Sequence, residues 1–208
     1  MSMTPPNVKG RNDKCNIMRN EGGKVKSGIH PQCEMDALLM FTEDIFAMGL
    51  RYSNLYGKRL VKEWNHKHSV SKKVWTPIDE AEWNAFIGLH LFSAAYNDQY
   101  TPTDQMWNPV HGHIIYPAIM SEKRFKLIKR CFRLDDPRRR DKNDKLSPVR
   151  HIFEVFVSNL QRFVHPFEFF SVDEQLLEYH GRVAFKQYIS TKPGKKGMKL
   201  FWLTNSAG

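Results

Sequence analysis

The stretch FFSVDEQLLEYHGR, residues 169–182, predicts a β-strand with an aspartate, Asp173, at its centre. Alternation along a strand places Val172 and Glu174 on one face and Asp173 on the other. Aspartate is disfavoured in strand interiors, and a carboxylate that points into a core needs a partner for its charge. Asp173 therefore either faces solvent or serves a chemical purpose, and the surrounding sequence has to decide between these interpretations.

Around this stretch the hydrophobic periodicity changes, and the change predicts an α+β fold. Up to about residue 165 the apolar residues recur at helical spacing, whereas after His165-Pro166 they alternate with period two. The second part predicts, in order, a strand in FEFFSVDEQLLEY, a turn at HGR, a short extended piece in AFKQYIS, a basic turn at KPGKKG and a strand in MKLFWLTNS. Helices are thus followed by the opening of a sheet.

Three helices are predicted from capping signals and apolar faces. The first runs from Thr42 to about Asn65, and the last begins at Ser147-Pro148 and continues to Val164. The middle helix is expected to begin with Thr76 as its N-cap and Pro77 in its first turn. Its apolar residues predict burial on most sides: Trp83, Phe86, Ile87, Leu89, His90, Leu91, Phe92 and Ala94. Within this set, the histidine is interpreted as a core residue and not as a metal ligand.

The positive charge of the chain is concentrated in one segment. Lys plus Arg number 32 against 22 Asp plus Glu, a formal net charge of +10. Residues 121–150 alone hold twelve basic and five acidic side chains. Such a local excess indicates a polyanion partner, because phosphate contacts dominate nucleic-acid affinity. The alternative is a solvated basic face that has no partner.

Within the basic segment, SEKRFKLIKRCFRLDDP, residues 121–137, predicts a two-faced helix. Phe125, Ile128 and Phe132 form its apolar edge. Beside that edge, basic residues at i, i+3, i+4 and i+7 predict a stripe that contacts phosphates: Lys126, Lys129, Arg130 and Arg133. The pair Asp135-Asp136 that follows is interpreted as a turn and helix C-terminal cap and not as a cation site.

Several classes of protein are disfavoured by composition. The apolar runs are shorter than a bilayer span, and the first residues, MSMTPPNVKGRNDK, have no signal-peptide core, so an intracellular protein without a membrane partner is expected. The three cysteines are far apart and form no CxxC pair. His66/His68 and His111/His113 are interpreted as loop histidines and not as zinc ligands. Residues 1–35 predict a disordered basic tail.

Four motifs, in a fixed order, resemble the transposase domain of the piggyBac family and of proteins domesticated from those elements. They are SEKRFKLIKRCFRLDD, LSPVRHIFEVF, SVDEQLLEYHGR and FKQYISTKPGKKGMKLFWLTNSAG, and the resemblance extends from about Phe41 to the C-terminus. It implies that residues 36–165 form a helical dimerisation and DNA-binding domain. It further implies that residues 166–208 form the first strands of an RNase H-like catalytic domain. The nucleus is the implied location.

The resemblance also implies a role for Asp173, as the first of three catalytic aspartates and a ligand of Mg²⁺. Phosphoryl chemistry with two metal ions needs several converging carboxylates, since Mg²⁺ prefers hard oxygen ligands. After Asp173 the acidic residues are Glu174 and Glu178, and the family's second and third aspartates do not occur. We therefore expect an N-terminal fragment that does not hold Mg²⁺ functionally and does not cleave DNA alone.

Double-stranded DNA is the partner that charge and resemblance both imply, and a homodimer or association with full-length relatives is implied as well. Ten residues are predicted to contact DNA: Lys126, Lys129, Arg130, Arg133, Arg138, Arg139, Arg140, Lys192, Lys195 and Lys196. The alternative function is a protein–protein interaction remnant without biochemical activity, in which Phe185, Leu200, Phe201 and Trp202 lack a covering sheet. RNA binding is disfavoured because no RNP or KH signature is present.

Overall fold

The structure is a computed structural model that describes residues 30–68, 70–164, 170–183 and 185–205. The basic tail predicted for residues 1–35 lies outside the described residues, except for its last six positions, where a helix begins at Glu34. The predicted boundary at His165-Pro166 also lies outside them.

Helices precede strands in the described part of the chain, and the predicted mixed architecture is confirmed. The α-helices are α1 (Glu34–Lys67), α2 (Glu80–Ala95), α3 (Thr103–Met106), α4 (Ile115–Ile119), α5 (Glu122–Cys131) and α6 (Ser147–Phe163). The strands are β1 (Phe170–Glu178), β2 (Gln187–Tyr188) and β3 (Lys196–Asn205), and short 3₁₀ helices occupy Asp98–Tyr100 and Pro137–Arg139. None of the described helices has the length and apolar character of a membrane span.

Two compact units make up the chain. One comprises the described residues from 42 to 156, and the other comprises the described residues of 30–41 and 157–205. The first contains most of α1, the helices α2 to α5 and the beginning of α6, and we call it the helical unit. The second contains the three strands, and we call it the sheet unit. These units group residues by packing, so the predicted domains 1–35, 36–165 and 166–208 remain a prediction.

An aromatic core holds the helical unit together. Helix α2 buries Trp83, Phe86 and Leu89, which recur every three residues and therefore share one face. Helix α5 buries Phe125 and Ile128 at the same spacing. The Phe86 and Phe125 rings lie 5.2 Å apart. Large aromatic side chains dominate core energetics because each one removes about 150–250 Å² of surface from water.

Helix α2 begins later and is more exposed than the sequence predicted. Its N-cap is Asp79 and not Thr76, because the Asp79 Oδ1 atom accepts a hydrogen bond from the Glu82 amide at 2.8 Å. The prediction of burial on most sides is wrong, since Leu91 is 51% exposed. His90 is likewise not fully buried: the residue as a whole is exposed, although its ring packs against Phe86 and Phe125. Partial burial, and to a smaller extent the charge of Lys129, lowers the pKa of His90.

A polar clamp attaches the segment before α2 to α1. The Asn54 side chain donates from Nδ2 to the Ile78 carbonyl at 2.8 Å, and its Oδ1 atom accepts from the Ile78 amide at 2.8 Å and from Trp75 Nε1 at 3.1 Å. The Trp75 ring lies directly on the helix backbone at Gly57, where an added Cβ would be 2.3 Å from the ring. Only glycine allows this close approach.

The sheet is antiparallel with the strand order β1-β3-β2. Strands β1 and β3 pair without interruption from Phe170↔Asn205 to Glu178↔Gly197, and this register places Asp173 opposite Trp202. Both predicted long strands are therefore present. Val172, Phe201 and Leu203 share one face and are 59–69% exposed. Of the apolar residues that the sequence predicted to be uncovered, Phe201 and Trp202 are exposed, whereas Phe185 and Leu200 are partly buried.

Candidate nucleic-acid interface

Helix α5 is capped by the residue that precedes it. The Ser121 hydroxyl oxygen accepts a hydrogen bond from the Arg124 amide at 3.4 Å. Glu122 lies in the first turn and Lys129 and Arg130 lie in the last turn, which is the favourable arrangement of charge along a helix dipole. The helix ends at Cys131, because Phe132 adopts an extended backbone with φ −54° and ψ 120°.

The exposed face of α5 differs from the predicted stripe. Successive residues are rotated by about 100° around a helix axis, so the positions opposite the face that buries Phe125, Ile128 and Cys131 are 123, 126 and 130. Lys123, Lys126 and Arg130, which occupy these positions, are all exposed, and we call them the α5 basic face. The predicted stripe did not include Lys123, although this residue lies three positions before Lys126 and seven before Arg130, which is the spacing of one helix face.

Two of the four predicted stripe residues lie elsewhere. Lys129 is exposed but flanks the core side of α5, where its charge acts on His90. Arg133 is not on α5, because the helix ends two residues before it. Its guanidinium lies 3.9 Å from the centroid of the Tyr56 ring, and its Nη1 atom donates to the Phe132 carbonyl at 2.6 Å. Arg133 therefore packs against α1 instead of extending the basic face.

Ion pairs engage five of the twelve basic residues of segment 121–150. The pairs are Arg124–Glu82, Lys126–Glu122, Arg138–Asp136, Arg140–Asp135 and Arg150–Asp144. Six of the remaining basic side chains are exposed and have no ion-pair partner among the described residues: Lys123, Lys129, Arg130, Arg139, Lys142 and Lys145. Pairing thus divides the charge excess into cations that form an ion pair, most of which are still exposed, and cations that form none.

Arg124 is engaged in hydrogen bonds within the protein, so it is not a candidate for contact with DNA. Its Nε and Nη2 atoms donate to the two Glu82 carboxylate oxygens at 2.6 and 2.5 Å, and its remaining donors reach the carbonyls of Thr76 and Pro77. These hydrogen bonds to Glu82 raise the pKa of Arg124. Arg124 thus hydrogen-bonds to backbone carbonyls of the segment that the sequence predicted as the start of α2. These carbonyls lie outside the helix, because α2 begins at Glu80.

The carboxylate of Asp136 is the most enclosed acid of this segment, with 8% of the residue exposed. Its Oδ1 atom accepts from the Arg138 amide at 3.1 Å and from Arg59 Nη2 at 3.2 Å, while Oδ2 accepts from Arg138 Nη2 at 3.0 Å. The bonds from Arg138, with that from Arg59, hold the pKa of Asp136 well below its usual range. A turn is present at Asp135-Asp136, but the predicted cap at the C-terminus of the preceding helix is wrong, because α5 ends at Cys131 and Asp136 is the N-cap of the 3₁₀ helix Pro137–Arg139.

Asp136 makes the stability of the helical unit dependent on pH. A carboxylate with a lowered folded-state pKa stabilises the fold above its unfolded pKa of about 3.9, and this contribution is lost as the pH falls through the folded pKa. We expect urea midpoints measured from pH 7 to pH 2 to fall more steeply for the wild type than for Asp136→Asn. The exposed acid Asp44 supplies the control substitution Asp44→Asn. Parallel curves for the wild type and Asp136→Asn would contradict the assignment.

The other predicted DNA contacts lie in the sheet unit, around the turn that joins β2 to β3. Lys195 adopts a left-handed backbone with φ 48°, and Lys195 and Lys196 are exposed. Lys192 is half-buried, and its Nζ atom donates to the Glu174 carbonyl at 3.4 Å. The ten predicted contacts are therefore divided between the two units.

Asp173 is exposed at the middle of β1, as the first of the two interpretations required. Its Oδ1 atom accepts a hydrogen bond from the Glu174 amide at 2.7 Å. Glu174 points to the opposite face of the strand, where it forms an ion pair with Lys199. Asp173 is thus the single carboxylate on its face of β1.

The described residues do not fit the Mg²⁺ centre that the resemblance implies. Mg²⁺ demands near-octahedral oxygen coordination, usually with one or two carboxylates held close together. Within residues 30–68, 70–164, 170–183 and 185–205, no group of three or more His, Cys, Asp or Glu side chains is arranged to hold a metal ion. Asp173 by itself supplies one carboxylate, and therefore at most two oxygen ligands.

Comparison with known proteins gives a consistent picture. The family model described as "Transposase IS4" matches residues 38–208. The human PiggyBac transposable element-derived protein 3 is 28% identical over 168 residues, which cover 79% of this chain and 26% of that protein. The human PiggyBac transposable element-derived protein 2 is 27% identical over 152 residues, which cover 72% of this chain and 25% of that protein.

A solved structure has the same fold over most of the chain. The cryo-EM structure of a piggyBac transposase synaptic complex with hairpin DNA matches with a TM-score of 0.68 and 29% identity, and the match covers 81% of this chain and 34% of that one. The chain therefore spans about a third of the solved transposase and about a quarter of the two human relatives.

Proposed function

This chain belongs to the Transposase IS4 family, within which it is similar to piggyBac transposases and the proteins derived from them, and from that premise we propose that it binds double-stranded DNA. The observation that carries the proposal is the α5 basic face, in which Lys123, Lys126 and Arg130 point away from the buried core. Three exposed cations on one helix face can each contact a phosphate of a duplex backbone.

The position of the α5 basic face suits phosphate contact. Phe125 and Ile128 anchor the opposite face of the helix in the aromatic core. The helix is therefore held in place while the three cations stay exposed. Lys126 is 51% exposed and pairs with Glu122 across one helical turn. An exposed pair of this kind contributes little to stability, and a phosphate can displace it. Contacts of this type hold DNA without reading its bases.

The solved relative supports the choice of DNA among polyanions. That transposase was captured with hairpin DNA, and its fold matches 81% of this chain. The proposal also includes homodimerisation or association with longer relatives. It further includes a nuclear location, because a protein that binds duplex DNA acts where genomic DNA lies.

For the sheet unit, we propose the beginning of an RNase H-like domain with Asp173 at the position of its first carboxylate. What this chain's own residues do is limited to presenting one exposed carboxylate at the middle of β1, next to the paired Trp202 of β3. We therefore propose that the chain does not cleave DNA by itself.

Incubation of the 208-residue chain with duplexes that carry transposon ends is expected to give no nicking in Mg²⁺ or Mn²⁺. Asp173→Asn is then expected to leave DNA affinity unchanged, because one exposed carboxylate neither completes a metal centre nor contacts phosphate. Gel electrophoresis of end-labelled duplex measures the first result and a binding titration measures the second. Metal-dependent cleavage that Asp173→Asn abolishes would show that the carboxylates are completed, for example by a partner chain.

The proposed DNA binding is tested by fluorescence anisotropy with a labelled duplex and the full chain between about 50 and 200 mM salt. With three or more phosphate contacts, the logarithm of the association constant is expected to fall with the logarithm of salt concentration with a slope of about −3 or steeper. Duplexes of unrelated sequence are expected to bind alike. Absence of binding at the lowest salt concentration, or affinity independent of salt, would refute the proposal.

A second candidate function is protein–protein association through the sheet unit, which is tested first between copies of the chain. It is favoured by the shared face of Val172, Phe201 and Leu203, which are 69%, 69% and 59% exposed, because contiguous exposed apolar patches mark interaction sites. If the anisotropy titration shows no binding and sedimentation shows concentration-dependent association that Phe201→Ser abolishes, this candidate replaces DNA binding.

A further inference from the structure

Three consecutive arginines follow Pro137, and the structure gives them unequal surroundings. Arg140 forms a two-pronged ion pair with Asp135, in which Nε donates to Oδ2 at 2.6 Å and Nη2 donates to Oδ1 at 2.8 Å. Arg138 forms the same kind of fork with Asp136, at 3.3 Å from Nε to Oδ1 and 3.0 Å from Nη2 to Oδ2. Arg139, between them, is exposed and has no ion-pair partner among the described residues.

We propose that Asp135 and Asp136 are positioning residues that neutralise Arg140 and Arg138 and present Arg139 as the cation of this run that contacts a DNA phosphate. The inference rests on the proposed DNA binding and refines it, since the sequence assigned the three arginines the same role. Asp135 and Asp136 do not themselves touch DNA in this arrangement.

The turn that carries Arg139 is held at several points. Asp136 caps the 3₁₀ helix Pro137–Arg139 through its bond from the Arg138 amide, and the Arg139 amide donates to the Asp136 carbonyl at 2.9 Å. The same carboxylate accepts from Arg59 of α1 at 3.2 Å. Earlier in the same segment, Ser53 of α1 accepts a hydrogen bond from the Arg133 amide at 3.0 Å. The backbone on which Arg139 stands is therefore attached to α1.

A forked ion pair weakens the affinity of its arginine for a DNA phosphate. A phosphate that approaches Arg140 has to displace a carboxylate from two charge-assisted hydrogen bonds, which are stronger than neutral ones, whereas Lys126 of the α5 basic face is held to Glu122 by a single contact. Hydrogen bonding to the carboxylates raises the pKa of both Arg138 and Arg140, in agreement with this engagement. Arg139 has no such competitor among the described residues, so contact with a phosphate costs only its hydration and side-chain freedom.

The test compares salt slopes for single substitutions in the full chain, with a duplex as the probe. Arg139→Gln is expected to make the slope shallower by about 0.9, the value of one phosphate contact. Arg140→Gln is expected to change the slope by much less. Asp135→Asn is expected to release Arg140 and to steepen the slope by about 0.9, which makes the fall in affinity between 50 and 200 mM salt about 3-fold larger.

Two controls separate this release from simpler effects. Glu63→Gln makes the same change in net charge at an exposed acid of α1 and is expected to leave the slope unchanged. The double variant Asp135→Asn with Arg140→Gln is expected to return to the wild-type slope, a rescue that a merely structural role of Asp135 would not produce. Asp135 makes only the Arg140 pair among the described ion pairs, so its loss leaves the Asp136 anchor in place.

The outcomes are distinct from one another. If wild-type protein does not bind duplex DNA, or binds it without salt dependence, the proposed function fails. If the wild type binds with the expected slope but Arg139→Gln and Arg140→Gln have equal effects, the positioning inference is overturned while DNA binding stands. The inference is also overturned if Asp135→Asn changes the slope no more than Glu63→Gln does.

Discussion

Replacement of Asn54 by alanine is expected to lower the free energy of unfolding by about 3 kcal/mol or more. The substitution removes the acceptor of the Ile78 amide and of Trp75 Nε1 and the donor to the Ile78 carbonyl. Ile78 and Trp75 are 3% and 9% exposed, so water replaces these partners poorly. Each buried polar group left without a partner costs about 1–3 kcal/mol. Urea unfolding followed by circular dichroism measures the loss.

The same helix provides a matched control for this prediction. Asn65 of α1 clamps the backbone of Lys73 in the same way, donating to its carbonyl at 2.8 Å and accepting from its amide at 2.7 Å, but both bonds are exposed. Asn65→Ala is therefore expected to cost less than about 1 kcal/mol, because water substitutes for the amide. Equal losses for the two variants would show that burial does not set the value of the Asn54 clamp.

Neutralisation of the α5 basic face is expected to have the largest effect on DNA binding. The triple substitution of Lys123, Lys126 and Arg130 by Gln should make the salt slope shallower by about 2.7, at about 0.9 for each phosphate that the variant no longer neutralises. Between 50 and 200 mM salt, the wild type would then lose about 40-fold more affinity than the variant. The fold should survive, since exposed charges contribute little to stability. Anisotropy titrations with duplexes of different sequence measure the effect, which should be uniform.

A second triple variant distinguishes an interface from net charge. Lys58, Lys62 and Lys72 are exposed residues of the same helical unit, and their replacement by Gln makes the same change in charge away from α5. We expect the slope of this control to stay near that of the wild type. If both triple variants show the same reduction in slope while remaining helical, the α5 basic face is a solvated surface.

Local patterns were sufficient to predict the elements that carry these experiments. The change from helical spacing to alternation predicted helices followed by strands, and the structure contains α1, α2, α5, α6, β1 and β3. Their bounds were predicted less well: α1 begins at Glu34 and not at Thr42, and α5 ends at Cys131. The periodicity of a helix or strand depends only on residues that are close together in the sequence, so it can be recognised without knowing which elements pack against it. Asp173 was placed correctly within a strand for the same reason.

Contacts between distant parts of the chain decided what the local patterns left open. Arg124 pairs with Glu82, 42 residues away, and Arg59 pairs with Asp136, 77 residues away. The sequence also suggested Arg133 as the last member of a helical stripe, but Tyr56 of α1 holds its guanidinium. Each of these choices depends on which side chains the fold brings within hydrogen-bonding distance.

The sequence by itself therefore determined the order of helices and strands, the amphipathic character of α5 and the basic excess that indicates a polyanion partner. Only the tertiary structure decided which of those cations remain available to it, with Lys123 and Arg130 facing solvent and Arg124, Arg138 and Arg140 engaged by carboxylates. The physical reason is that charge is a property of each residue, whereas its neutralisation depends on distances set by the packing of the whole helical unit.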